Sequence, residues 1–416
     1  MRAYVESYGC SHNESDARII RALLEKSGAT LVDKPESADY LLLNTCGVKH
    51  TTELKMLSRA RELAKCKGML FICGCLPAIN EAAVRKAAPN AVLVGTDCIG
   101  ELPQLLTHPR DCLTGGRVNK LALARPKHGL TAVIQIGEGC TGSCTFCGTR
   151  HARGSVHSYP LRDIVASVEA AVRGGAREVY LTAEDTGCYG LDAGSSLPEL
   201  INAVAAVPGD FKIRVGMMNP DHALRMLPQL LAAFKNEKVY RFVHLPVQSG
   251  SDAVLRAMRR NYSVADFERV VAAFRKSLSG VAVSTDVIVA FPTETEQDFR
   301  ATMALLGRVR PDIANVSRFG PRPRTPAAAI KQLSSVISKR RSAEAGALAK
   351  ALSLESSKRL VGQELETVAL SRGSRGGVIG RAPNYRQLVF DGSLGVPCRV
   401  RVARAFPYYL RAERLK

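Results

Sequence analysis

The chain has no tryptophan, few aromatic residues (6%) and far fewer acidic than basic side chains. It also lacks any long apolar run. The longest uncharged stretch, Gly68 to Asn80, falls well short of the roughly 18 apolar residues a membrane span needs, so no membrane partner is expected. The opening residues, MRAYVESYGC, carry no apolar core of a secretion signal, which points to the cytoplasm. Cysteines stay reduced there, so the 12 in this chain are expected to serve metal or redox chemistry rather than disulfides. No low-complexity tract and no 20–50-residue repeat is present, which argues against a solenoid.

What is present is a 416-residue chain with 58 Lys+Arg against 38 Asp+Glu, a formal net charge of +20. At roughly 150 residues per domain this length suggests two or three domains, and 46% hydrophobic residues are enough to give each a core. The basic excess points to a polyanionic partner, with nucleic acid first.

Three segments can be read along the chain. In residues 1–116, strand-like runs (Arg2–Tyr8, Tyr40–Leu43, Met69–Cys73, Ala91–Val94) alternate with helical stretches, the pattern of a doubly wound parallel sheet. In residues 126–356, six strand signals from Thr131 to Val316 alternate with helices. That is an α/β fold of the partial (β/α)6 barrel kind, with its site at the C-terminal strand ends. In residues 357–416 the runs become short and β-like, punctuated by Gly and Arg, and suggest a small all-β barrel. That last segment holds 12 Lys+Arg and 4 Asp+Glu, a local charge of +8.

The sharpest motif is Cys140-x3-Cys144-x2-Cys147. Three thiolates on one short loop can cap three irons of a 4Fe–4S cube and leave the fourth iron open to a small molecule. A zinc site is the weaker competitor, because it wants a fourth ligand, for which only His151 is near. Gly137, Gly139 and Gly142 in the same loop spell a formal dinucleotide fingerprint. No apolar helical period follows at once to supply the phosphate-facing helix. A second set, Cys10, Cys46 and Cys75, is dispersed. Each follows a strand signal, and in a doubly wound sheet such ends converge on one edge. They form either a second ligand set or scattered cysteines. Cys73 is expected to face the sheet, and Cys66, Cys98, Cys112, Cys188 and Cys398 show no metal-like spacing.

Over essentially its whole length the chain resembles the radical S-adenosylmethionine (SAM) methylthiotransferases, in particular the archaeal and eukaryotic group acting on N6-threonylcarbamoyladenosine in tRNA. The resemblance is carried by the Cys140/Cys144/Cys147 motif, the YGC, NTC and GC elements, and the stretches LTAEDTGCYGLD, IRVGMMNPDH, HLPVQSGSDAVLRAMRR, STDVIVAFPTETEQDF and NVSRFGPRPRTPAA. It implies a central radical SAM barrel and an auxiliary 4Fe–4S cluster on Cys10, Cys46 and Cys75, two clusters in all. It implies a C-terminal TRAM-like RNA-binding barrel, for which GRAPNYRQLVF is the matching stretch. Two SAM molecules per turnover are implied: one yields a 5′-deoxyadenosyl radical and the other methylates a sulfur that passes to carbon 2 of the adenine. tRNA and an unidentified one-electron donor are the implied partners, and a monomer is expected. Two departures stand out, Glu184 where the family usually has Gln and Ala290 where it has Gly. The same chemistry on isopentenyladenosine or on a ribosomal-protein aspartate is the nearest alternative. An RNA-binding iron–sulfur sensor without turnover is the more distant one.

Further candidates follow from position. By resemblance Phe146 lies against the SAM adenine. Glu184 and Asp185 follow the second barrel strand, where such enzymes hold the SAM amino group. Arg214 is a candidate for the SAM carboxylate, or equally for a structural pair, and Gln248 and Ser249 for its ribose. Arg322 and Arg324 in GPRPRT either grip phosphate or the threonyl carboxylate or form a solvated turn. Arg372, Arg375, Arg381 and Arg386 are the expected phosphate contacts of the terminal barrel.

Overall fold

A computed structural model describes residues 1–415. The N-terminal sheet is fully parallel. Its strands are β1 (Arg2–Ser7), β2 (Thr30–Leu31), β3 (Tyr40–Thr45), β4 (Met69–Gly74) and β5 (Val92–Val94), in the order β2-β1-β3-β4-β5. A parallel sheet buried on both faces needs apolar side chains on both, which the run Leu41-Leu42-Leu43 supplies. Leu42 faces the layer formed by Ile19, Ile20 and Leu24 of the helix Ser11–Lys26. Leu41 and Leu43 face Met56, Leu57 and Ala60 of the helix His50–Leu63.

Residues beyond this sheet bring one correction. Cys98 and Cys112 are not incidental: the structure joins them in a disulfide across a Cα separation of 6.0 Å. The tight turn Thr96–Glu101 and the bridge of Cys112 to Val94 set the two side by side. Sequence spacing carries no trace of that approach. After β4 the chain forms two short helices, Cys75–Ile79 and Glu81–Ala87, with Asn80 capping the second by accepting from Ala83 N–H.

The central unit has six parallel strands, Thr131–Gln135, Glu178–Thr182, Lys212–Val215, Phe242–His244, Ala282–Val289 and Ile313–Arg318. They form two three-stranded sheets, with a single bridge, Ile213 to Val239, next to the fourth strand. The first and sixth strands are edges and share no ladder, so the barrel is open between them. Helices on its outside start at reciprocal caps, Ser263 with Asp266 and Thr295 with Asp298, which satisfy otherwise free N–H groups. No helix among the described residues is long and apolar enough to cross a membrane.

The N-terminal unit lies on the first barrel strands. Ser11 Oγ meets Thr182 Oγ1 at 2.8 Å, and Arg18 donates to Thr131 O at 2.8 Å. At the opposite, N-terminal end of the strands sits a curled six-stranded sheet from Glu364 to Arg414, ordered first, fifth, sixth, fourth, third, second. Thr367 Oγ1 bonds both N–H and C=O of Arg381, drawing the first and third strands together. The long helix Ser335–Lys358 leads into this sheet and packs on the sixth barrel strand.

Candidate metal centres and the network between them

The cysteine loop leaves the first barrel strand and is closed at its base by the short pair Gly137–Glu138 and His157–Ser158. Gly139 is required there: its φ is +72°, and a Cβ would stand 2.0 Å from Ser155 O. Gly142 N–H donates to Cys140 Sγ at 3.2 Å. Cys144 Sγ accepts from Arg260 Nη1 at 3.0 Å. The loop is pinned to the barrel by Thr145, whose Oγ1 donates to Ala257 O at 2.9 Å. A hydrogen bond from Cys188 lowers the pKa of the Cys140 thiol, whereas burial raises that of Cys147.

The three dispersed cysteines do meet. Cys10 follows β1, Cys46 follows β3 and Cys75 follows β4, all at one sheet edge. Gly9 makes the approach possible, since at φ +126° a Cβ would lie 2.4 Å from Cys46 Cβ. Cys10 donates a hydrogen bond to Cys46, which raises the Cys10 pKa and lowers that of Cys46. Burial pushes Cys75 up to about 11. Three crowded sulfurs at one sheet edge suit a cationic iron–sulfur core, which displaces their protons when it binds. The donor sets thus fit a cluster at Cys10, Cys46 and Cys75 and another at Cys140, Cys144 and Cys147.

A buried ionic network joins the two sets, and residue spacing gave no sign of it. Arg153, six residues past the loop's third cysteine and 2% exposed, is its hub. Its guanidinium bonds Asp16 at 2.6 Å, Glu138 at 2.6 Å and Asn13 Oδ1 at 3.1 Å, and reaches Glu184 at 3.4 Å. Asn13 Oδ1 in turn lies 3.7 Å from Cys75 Sγ. Lys120 neutralises Asp16 and Glu138 from the other side, at 3.0 and 2.5 Å. His12, Asp16 and Glu138 therefore resemble a metal-ligand group but are already held by cations of the chain. The bonds of Arg153 and Lys120 to Asp16 join residues more than 100 positions apart, and only the docking of the two units creates them.

The structure distributes the remaining candidates as follows. Glu184 receives Gly139 N–H at 2.9 Å and lies 3.2 Å from His12 and 3.4 Å from Arg153, so the negative charge that departs from the family is met by the Arg153 guanidinium. Ala290 adopts φ +60°, the left-handed region, which accounts for a glycine being usual there. Asp185 is fully buried and spent on fixing its loop, taking bonds from His222 (2.9 Å), Asn219 N–H (3.1 Å) and Gly187 N–H (3.0 Å). Phe146 packs near Phe291 and Met258, and Gln248, at φ +70°, is held by backbone bonds to Asp286 and Ile288.

Five expectations need correction. Ser249 is wholly buried, its Oγ 3.3 Å from Thr302 Oγ1, and it has no face toward a ribose. Arg214 lies low in the barrel, stacked 3.7 Å over Tyr180 and close to Tyr385 of the C-terminal sheet, not at the cysteine end; burial depresses it to about 10. Arg322 is 3% exposed and paired with Glu53, joining barrel to N-terminal unit. Arg386 is 3% exposed, with its donors on Ser353 Oγ, Pro407 O, Asp312 O and Ser356 Oγ. Arg381 stacks on Tyr385 at 4.6 Å and faces Glu178 at 3.9 Å. These last two fasten the sheet to the barrel. Arg324 donates to Ala78 O, while Arg372 and Arg375 stand exposed on the terminal sheet.

Known proteins resemble this arrangement. Residues 134–306 match the Radical SAM superfamily and residues 2–95 match Uncharacterized protein family UPF0004. A probable threonylcarbamoyladenosine tRNA methylthiotransferase of Pyrococcus horikoshii is 38% identical, covering 99% of both chains. That decides the family. The chain belongs to the threonylcarbamoyladenosine tRNA methylthiotransferases. The family's Archaeoglobus fulgidus member is 38% identical over 97% of this chain and 96% of its own. The Drosophila melanogaster member is 35% identical over 99% of this chain and 77% of its own. In fold, this methylthiotransferase-family chain is similar to the radical SAM methyltransferase TsrM of Kitasatospora setae. The TM-score is 0.58 at 14% identity, over 79% of this chain and 77% of that one.

Proposed function

We propose that the chain attaches a methylthio group to carbon 2 of N6-threonylcarbamoyladenosine at position 37 of tRNA, 3′ of the anticodon. The observation that carries this reading is the meeting of two three-cysteine sets across one buried network, in a chain whose relatives bear that name. A C–H bond of an aromatic base is not acidic, so proton transfer alone cannot open it. When bound, clusters on the two sets supply one-electron cleavage of SAM and the sulfur, chemistry no side chain offers.

The chain's own residues do the rest. Cys140, Cys144 and Cys147 hold one cluster, with Arg260 and Gly142 N–H donating to their sulfurs. Cys10, Cys46 and Cys75 hold the other. Arg153 fixes the two sets relative to one another, because its bonds reach both units at once. Glu184, Phe146 and Gln248 are the residues proposed for SAM. The curled terminal sheet is read as a TRAM-like module, with exposed Arg372 and Arg375 for phosphate. The substrate base lies in a single-stranded loop and can be presented to a pocket.

Nucleoside mass spectrometry of tRNA from a deletion strain tests the reading. Loss of the methylthio-threonylcarbamoyl nucleoside, restored by the wild-type chain, is expected. An unchanged signal, or loss of a methylthio-isopentenyl nucleoside instead, overturns it.

A further inference from the structure

The cysteine loop borders a basic cavity. A cavity of about 150 Å³ opens beside Cys144, lined among others by Gly142, Asn219, Arg225, Arg259 and Arg260. The three loop cysteines are all partly exposed, and Cys140 accepts a hydrogen bond from Gly142 N–H at 3.2 Å. Cys144 alone among them lines this cavity. Its sulfur is covered there by the Arg260 guanidinium, itself propped 4.9 Å over the Tyr262 ring.

The rim is basic. Arg259 is exposed at φ +55°, and Arg150 is exposed and donates to Gly142 O. Neither Arg225 nor Arg259 takes part in an ion pair among the described residues. The acid in the lining is Asp221. Leu191 stands at the same cavity with 56% of its surface exposed, an apolar contact that a nucleic-acid backbone does not want and a protein partner does. The terminal sheet, the proposed RNA module, lies at the other end of the barrel.

We propose that this groove is the docking site of an acidic, low-potential one-electron carrier protein of the ferredoxin or flavodoxin type. Electron tunnelling falls steeply with distance, so a donor must come up to a ligand of the cluster, and Cys144 is the ligand that lines this cavity. The unpaired arginines complement an acidic carrier and steer its approach. The carrier loses one electron and the cluster gains it; no bond or proton changes hands. The inference rests on radical SAM chemistry at Cys140, Cys144 and Cys147 but not on which nucleoside is modified.

The test uses the reconstituted full chain with two probes, a net-negative 2Fe–2S ferredoxin and a flavodoxin. The double variant Arg225→Glu/Arg259→Glu is expected to weaken carrier binding about tenfold, measured by titration calorimetry at low salt. SAM cleavage driven by the reduced carrier falls in parallel. Cleavage driven by dithionite and the affinity for tRNA stay at wild-type values. Arg259→Lys keeps the charge and is expected to keep the binding, which separates charge from a local folding defect. Unchanged carrier binding in the double variant, no binding of either probe to the wild type, or a larger loss of tRNA than of carrier affinity overturns the proposal. Failure of dithionite to drive SAM cleavage in the wild type would instead sink the underlying radical chemistry.

Discussion

The two cysteine sets are built in opposite ways. Cys140, Cys144 and Cys147 come from one loop of eight residues, held shut by a two-residue hairpin and a glycine that tolerates no Cβ. Cys10, Cys46 and Cys75 come from three loops and are brought together only when β1, β3 and β4 stand side by side. A local motif keeps its ligand geometry while the rest of the fold breathes. A dispersed one depends on sheet register and on what locks the two units to each other, Arg153 and its carboxylates among them. The contrast teaches that the first set depends on its loop and the second on the packing of the whole N-terminal unit.

The largest effect should come from removing one ligand from each set. Cys140→Ala is expected to abolish both 5′-deoxyadenosine release and methylthio product, at least a hundredfold by chromatography of single-turnover reactions. Cys46→Ala should keep 5′-deoxyadenosine release and lose the product. Loss of SAM cleavage in both would erase the division of labour.

Next is the link. Arg153→Met leaves Asp16, Glu138 and Glu184 short of a cation in a dry interior, which should cost about 3–5 kcal/mol in urea unfolding. The compact set should keep its iron better than the dispersed one, since only the latter depends on the docked interface. Equal iron loss from both would show that the network does not discriminate between them.

At the far end of the barrel the arginines divide by burial. Arg386→Ala leaves Asp312 O without its donor and removes a second partner from Ser353 Oγ and Pro407 O, and should cost about 2–3 kcal/mol and admit protease near residue 360. Arg372→Ala and Arg375→Ala should leave stability alone and weaken tRNA binding a few-fold each. Each should also lower the salt slope by about one. The smallest expected effect is at Ala290, where φ is +60°. Ala290→Gly relieves left-handed strain and should raise stability by about 1 kcal/mol in the same unfolding measurement, without changing the iron content.

How much of this was legible in the sequence follows the same division. Period and punctuation revealed the alternating elements, and the x3–x2 spacing revealed the compact ligand set, because both are local. Cys10, Cys46 and Cys75 were reachable by asking where strands end. Arg153, His12, Asp16, Lys120 and Glu138 were not, since buried ion pairs between residues about 100 positions apart have no period. Arg386 and Arg322 misled for a related reason. Arginine is read as a surface phosphate ligand by default, yet both use the fork of N–H donors to staple units of the fold together. The Cys98–Cys112 pairing went unseen because a turn and a bridge, not a spacing, bring it about.

The central claim is that the two sets hold two separate clusters, and iron and acid-labile sulfide content of anaerobically reconstituted protein tests it most directly. The account predicts about eight irons per wild-type chain and about four in the Cys10→Ala/Cys46→Ala/Cys75→Ala variant, still able to cleave SAM. About four irons in both proteins would contradict it.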